Sequence, residues 1–164
     1  MKKSATFFLL FVLFQFDANA TKLKRIYLDK SSNVHIITST GRKINVGKKV
    51  HAVEVELSPD KETAVWLVEE KIDMGEGLEN APLELGVYNK GRVRSIGCGQ
   101  LIRSYWFWMK GKRIAIDCGG KHFSGHEILY DASSLSELAS FDQGEVPIEK
   151  RPPWSKSGDN FDDK

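Results

Sequence analysis

The sequence predicts an all-β domain of antiparallel sheets. Three observations carry this reading. Apolar and polar residues alternate with period 2 over much of the chain, as in Ala52-Val53-Glu54-Val55-Glu56-Leu57. The alternating runs are short and are separated by turn formers such as Ser58-Pro59-Asp60-Lys61 and Asn89-Lys90-Gly91. Helical spacing is confined to one candidate turn, Asp131 to Leu138, which is too short for a stable helix.

Val34 to Thr38 is a strand, Ser39-Thr40-Gly41-Arg42 turns it, and Lys43 to Val46 returns. Ala52 to Leu57 alternates strictly, and Pro59 with Asp60 ends it. Thr63 to Val68 is a continuous apolar run, which predicts a strand buried on both faces. Asp73 to Pro82 combines acids, glycines and a proline and reads as a loop. Leu83 to Tyr88 resumes, and Arg92 to Ile96 returns with one wet face carrying Arg92 and Arg94. Ile102 to Trp108 and Arg113 to Cys118 form a hairpin around Met109-Lys110-Gly111-Lys112, which places Arg103 opposite Cys118. Gly119 to Gly125 is a loop, and His126 to Tyr130 and Glu137 to Phe141 are the last strands. The β-rich domain is therefore expected over 21–143. Residues 144–164, with Pro147, Pro152 and Pro153, read as an extended, partly disordered arm.

The second half repeats the plan of the first at an offset of roughly fifty residues, for example Val65-Trp66 against Ile114-Ala115. Ser58-Pro59-Asp60-Lys61 precedes a hydrophobic strand. Leu129-Tyr130-Asp131 precedes a turn and a final Leu138-Ala139-Ser140-Phe141. In these features the chain resembles the blades of secreted β-propeller repeats. The resemblance implies about two and a half four-stranded units, fewer than the four or so that closure needs. The expected architecture is thus an open partial propeller or a sandwich of packed sheets.

Residues 1–20 read as a secretory signal. Lys2 and Lys3 are followed by the apolar run Phe7 to Phe16, and Ala18-Asn19-Ala20 is a small-residue cleavage site. The run is about half the length needed to span a bilayer, and no later segment approaches it. Export to the periplasm or beyond makes a single Cys98–Cys118 disulfide the simplest state of the two cysteines. The charges nearly cancel, 24 basic against 22 acidic, which argues against a nucleic-acid binder.

His122-Phe123-Ser124-Gly125-His126 is the most suggestive constellation. A metal site there would need a third ligand, with Asp117 the nearest, and the flanking glycines oppose the helix that would align two histidines. A serine nucleophile would need an adjacent base and an oxyanion hole, and no nucleophile elbow is present. Glu69-Glu70 are adjacent, so on a strand they face opposite ways and suit solvated charge better than paired catalysis. Tyr105-Trp106-Phe107-Trp108 reads as a central strand buried on both sides. The alternative is a surface tryptophan patch beside Arg103 and Arg113.

No catalytic residue, metal ligand or cofactor is expected from this set. The expected function is protein recognition by an exported module, with Gln100, His122, Phe123 and Ser124 as contact residues beside the disulfide. Small periplasmic immunity proteins and lysozyme inhibitors are similar in profile: signal peptide, β-rich domain, one disulfide. The competing classes are an enzyme using the His122–His126 loop and a structural component of the cell envelope.

Overall fold

The computed structural model describes residues 21–46, 51–73, 77–120 and 123–162, and the expected signal segment lies outside the described residues. Three antiparallel sheets follow one another along the chain. The first holds β1 (Leu23–Leu28), β2 (Val34–Thr38) and β3 (Lys43–Val46). The second holds β4 (Ala52–Leu57), β5 (Thr63–Asp73), β6 (Leu78–Asn89) and β7 (Arg92–Ile96). The third holds β8 (Ile102–Trp108), β9 (Arg113–Cys118), β10 (His126–Asp131) and β11 (Glu137–Asp142). Strands adjacent in sequence are adjacent in each sheet, and no sheet closes into a barrel. The fold is all-β, open and antiparallel, as the alternation predicts.

The sheets stack as layers, with the second in the middle. Its Ala64, Trp66 and Tyr88 meet Leu23, Val34, Ile36 and Val46 of the first sheet. Its Val65, Leu67, Leu85 and Val87 meet Ile114, Ile116, Ile128 and Phe107 of the third. A strand with neighbours on both faces has no polar side to show, which is why Thr63 to Val68 is apolar throughout.

The outer face of the third sheet is covered by the chain's own C-terminal segment. Trp154 packs there with Trp106, Ala115 and Leu129, and is 5% exposed. The segment is not extended: it runs in turns with a short 3₁₀ helix at Ile148–Lys150, and it is laid on the sheet rather than loose. Tyr105-Trp106-Phe107-Trp108 is flanked by apolar layers on both faces, yet β8 is an edge strand of its sheet, not a central one. Two core faces need two layers, and they do not need two strand neighbours.

Several local expectations are corrected. Asp73 to Pro82 is not a loop: β5 and β6 pair out to Asp73 and Leu78 as one long hairpin. Pro82 is accommodated opposite Glu69, at a break in register between Val68 and Glu69, where the missing N–H matters least. Ile102, not Arg103, is opposite Cys118, because the register shifts between Ile102 and Ser104. The repeat is best aligned at an offset of fifty, which sets Ala64 with Ile114 and Trp66 with Ile116, all facing the preceding sheet. An offset of forty-nine reverses the face of every side chain. On β7 Arg92, Val93 and Ser95 are exposed, whereas Arg94 is half-buried and donates to the carbonyls of Ser133 and Ser134.

Gly86 shows how tightly the middle sheet is filled. A Cβ there would lie 2.6 Å from Cζ2 of Trp66 and closer still to Cε2 and Nε1. The indole is 2% exposed and lies directly over the glycine, so an added methyl must displace it. Gly86→Ala is therefore expected to cost about 1–3 kcal/mol, the usual range for overpacking. The measurement is a lower urea midpoint at unchanged slope, and an unchanged midpoint would contradict the packing described.

The β1–β2 turn is organised by Asp29. Its carboxylate accepts from His35 Nε2 at 2.9 Å, from Asn33 Nδ2 at 3.0 Å and from the backbone N–H of Asn33 and Ser31 at 3.0 and 2.8 Å. The His35 contact first, and then those from Asn33, hold this carboxyl well below the ordinary aspartate range. A depressed folded pKa contributes stability above the ordinary value and loses it as pH falls below that value toward the folded one. Stability is thus expected to fall as pH drops below about 4. Asp29→Asn should flatten that part of the profile in urea melts at descending pH, and an unaltered acid limb would contradict it.

Candidate functional site

The disulfide end of the third sheet carries Gln100, Phe123 and Ser124 of the expected contact residues. Cys98, just after β7, and Cys118, the last residue of β9, form a disulfide with Cα atoms 6.5 Å apart. Gly119 N–H donates to the Leu101 carbonyl at 2.9 Å. The segment 97–101 and the chain following β9 at Gly119 therefore meet at one end. Gln100 and Ser124 are exposed, and Phe123 is 77% exposed. His122 lies outside the described residues.

Beneath these residues is a polar network that fixes the loop backbone. The Arg103 guanidinium donates from Nη1 to the Phe123 carbonyl at 3.1 Å. Its Nη2 meets both Asp117 oxygens, at 2.7 and 2.8 Å, and Gln143 Oε1 at 3.2 Å. Gln143 Oε1 also accepts from Gly125 N–H at 3.0 Å, while Gln143 N–H donates to the Gly125 carbonyl at 2.8 Å. Gln143 Nε2 continues to Glu127 Oε1 at 2.8 Å, and Ser157 of the C-terminal segment donates to the same oxygen. Gly125 is required here, since a Cβ would lie 2.8 Å from Arg103 Cζ and closer to Asp117 Oδ1. The loop is held on both sides of Ser124 while the Phe123 ring is left in solvent.

The same geometry bears on the chemistry considered for this loop. Asp117, the nearest third ligand for a metal, is engaged by Arg103. His126 Nδ1 is paired with Asp142 Oδ1 at 2.8 Å, across the β10–β11 ladder. Ser124 has no hydrogen bond to an imidazole among the described residues. The aromatic run offers no open tryptophan patch. Trp106 Nε1 donates to the Trp154 carbonyl at 2.8 Å and Trp108 Nε1 to the Asp162 carbonyl at 2.6 Å. Arg103 and Arg113 are not neighbours: Arg113 pairs with Asp131 at the opposite end of the hairpin.

Sequence reasoning missed Gln143, the residue that ties loop, sheet and tail together. It follows the last strand by one position, and its partners Arg103, Asp117 and Glu127 lie 16 to 40 residues away. Glu69 and Glu70 both border a cleft between the first and second sheets, just past the register break at Val68, with Glu69 half-buried and Glu70 exposed.

No helix among the described residues is long and apolar enough to cross a membrane. No protein-family model matches the chain, and no curated protein matches its sequence.

Proposed function

We propose that this chain is an exported protein-binding module, of immunity or inhibitor type, that masks a partner with the loops at its disulfide end. One observation carries the reading: the Phe123 ring is 77% exposed on a backbone pinned by Arg103, Gln143 and the neighbouring disulfide. A large apolar side chain on a preorganised loop suits a binding anchor, because little further ordering is needed on association. Gln100, His122 and Ser124 supply polar contacts around it. The signal-like N-terminus and the disulfide support a periplasmic or secreted site of action. The reading calls for no cofactor, metal, catalytic group or nucleic acid.

The test is capture of a partner from periplasmic extract, followed by titration of that partner with wild-type chain and Phe123→Ala. The variant should fold normally and bind more weakly by about 1–2 kcal/mol or more, or roughly five- to thirtyfold in Kd. Normal binding by Phe123→Ala, together with loss of binding on changes at the Met109–Lys112 turn, would place the site at the other end.

A further inference from the structure

The near-balance of charge over the whole chain hides a separation along it. Residues 21–46, which hold the first sheet, carry six basic side chains, Lys22, Lys24, Arg25, Lys30, Arg42 and Lys43, and one acid, Asp29. Residues 47–164 carry 16 basic side chains and 20 acidic ones. The one acid of the first sheet is occupied by His35 and Asn33. Lys22 is paired with Glu62 at 2.7 Å. Lys24, Arg25, Arg42 and Lys43 are exposed and have no carboxylate partner among the described residues. The pairing of Leu23 with Thr38 and of Ile37 with Lys43 puts all four at the end of the sheet beside the β2–β3 turn.

The inner face of this sheet is apolar, with Leu23, Ile26, Val34, Ile36, Ile44 and Val46 against the second sheet. Alternation therefore sends Arg25, Tyr27, His35, Ile37, Lys43 and Asn45 to the outer face. Cross-strand pairing sets them in two rows, Arg25–Ile37–Lys43 and Tyr27–His35–Asn45. Tyr27 stacks on His35 with ring centroids 5.1 Å apart, and Arg25 and Lys43 lie over the Tyr27 ring at 5.0 and 5.9 Å. The ring is thus engaged within the face rather than presented to a base or a sugar. Among the described residues, none of the strongly exposed large apolar side chains belongs to this sheet. The face offers positive charge on a sheet surface. Residues 47–50, which follow β3 and lie outside the described residues, add Lys48 and Lys49 and no acid.

We infer that the outer face of the first sheet docks on a lipid bilayer surface rich in anionic headgroups. Each Lys or Arg held near such a surface strengthens binding by about fivefold. The cations stand on both edge strands and in the turn, with the neutral Ile37 between Arg25 and Lys43. That spread matches many anionic groups in a plane better than the single line of carboxylates on an acidic peptide. With no strongly exposed apolar side chain to insert, attachment is electrostatic and is reversed by salt. The sheets are stacked with the second in the middle, so a chain resting on its first sheet turns the third sheet away from the bilayer. The Phe123 loop stays open to a partner, and the inference does not depend on it.

The experiment is cosedimentation of the exported protein with vesicles of equal parts phosphatidylglycerol and phosphatidylcholine, and with vesicles of phosphatidylcholine alone. Binding to the first and not to the second is expected at about 50 mM salt, with release at about 500 mM as the charges are screened. Arg25→Gln combined with Lys43→Gln should weaken binding about thirtyfold, the product of two such charges. Lys24→Gln combined with Arg42→Gln disturbs no ring contact and should act in the same direction, which separates loss of charge from loss of fold. Lys110→Gln combined with Lys150→Gln removes the same charge from the third sheet's turn and the C-terminal segment, and should change binding by less than about twofold. Phe123→Ala should leave it unchanged. The inference is overturned by an absence of binding to the anionic vesicles, by equal binding to phosphatidylcholine, or by binding that survives high salt. Equal losses in the Arg25–Lys43 and Lys110–Lys150 variants would overturn it too. Saturable binding of soluble polyglutamate at a salt concentration that releases the chain from vesicles would assign the face to an acidic protein and overturn it as well.

Discussion

Trp154→Ala is expected to lower the stability of the chain by about 3–5 kcal/mol, the range for deleting a buried aromatic side chain. Trp154 is 5% exposed, although it lies in a stretch rich in proline and polar residues. Its ring meets Phe141 edge-on at 5.5 Å and belongs to the cluster with Trp106, Ala115 and Leu129. The backbone carbonyl that accepts from Trp106 survives the substitution, so the loss measures packing rather than the hydrogen bond. A domain of this size has a net stability of about 5–15 kcal/mol, so this one side chain carries a large share of it. Urea unfolding of wild-type and variant chains measures the difference. Truncation after Gln143 should cost more. It also removes the carbonyl partners of Trp106 and Trp108 and the Ser157 contact to Glu127, and it should red-shift tryptophan emission as those rings become wet. A loose arm would predict less than about 0.5 kcal/mol for either change, as for ordinary surface sites.

The contrast between strand interiors and strand irregularities explains what could be read in the sequence. Val34 to Thr38, Ala52 to Leu57 and Arg113 to Cys118 have the bounds that period-2 alternation and turn residues give them. β1 was not legible, because the register breaks between Leu23 and Arg25. Leu23, Ile26 and Leu28 are then spaced three and two apart, which matches neither a strand nor a helix. The β5–β6 arm reads as a loop in the sequence because its glycines, acids and Pro82 are poor strand formers. Its outer part is held by backbone pairing and shows mostly exposed side chains. The layer order was implicit in Thr63 to Val68, since a run apolar on both faces demands a sheet on each side. The candidate loop was legible as glycines, a disulfide and an exposed aromatic. What pins it was not, because Arg103, Asp117 and Gln143 are brought together only by tertiary folding and each has a common surface role when read alone.

Removing the Cys98–Cys118 bond is expected to cost about 3 kcal/mol, from the chain entropy released when a loop of 20 residues is opened in the unfolded state. Mass spectrometry of the exported protein without reductant should find the two cysteines linked, and two free thiols would refute the bond. Cys118 is 1% exposed and sits in the core between the second and third sheets, with Cys98 packed against it. A double change to alanine therefore suits the stability measurement better than serine, which would place an unpaired hydroxyl in that core. Reduction of the wild-type chain is the second route, and the two should agree within the cost of the lost sulfur contacts. The effect on partner binding is expected to be smaller than the effect on stability. Phe123 and Gly125 remain tied to Arg103 and Gln143 after the bond is cut, whereas Gln100 keeps only the Gly119–Leu101 hydrogen bond near it. If the anchor is Phe123, the double alanine variant should lose less affinity than Phe123→Ala under conditions where both remain folded. A larger loss in the disulfide variant would shift the weight of recognition to the 97–101 segment.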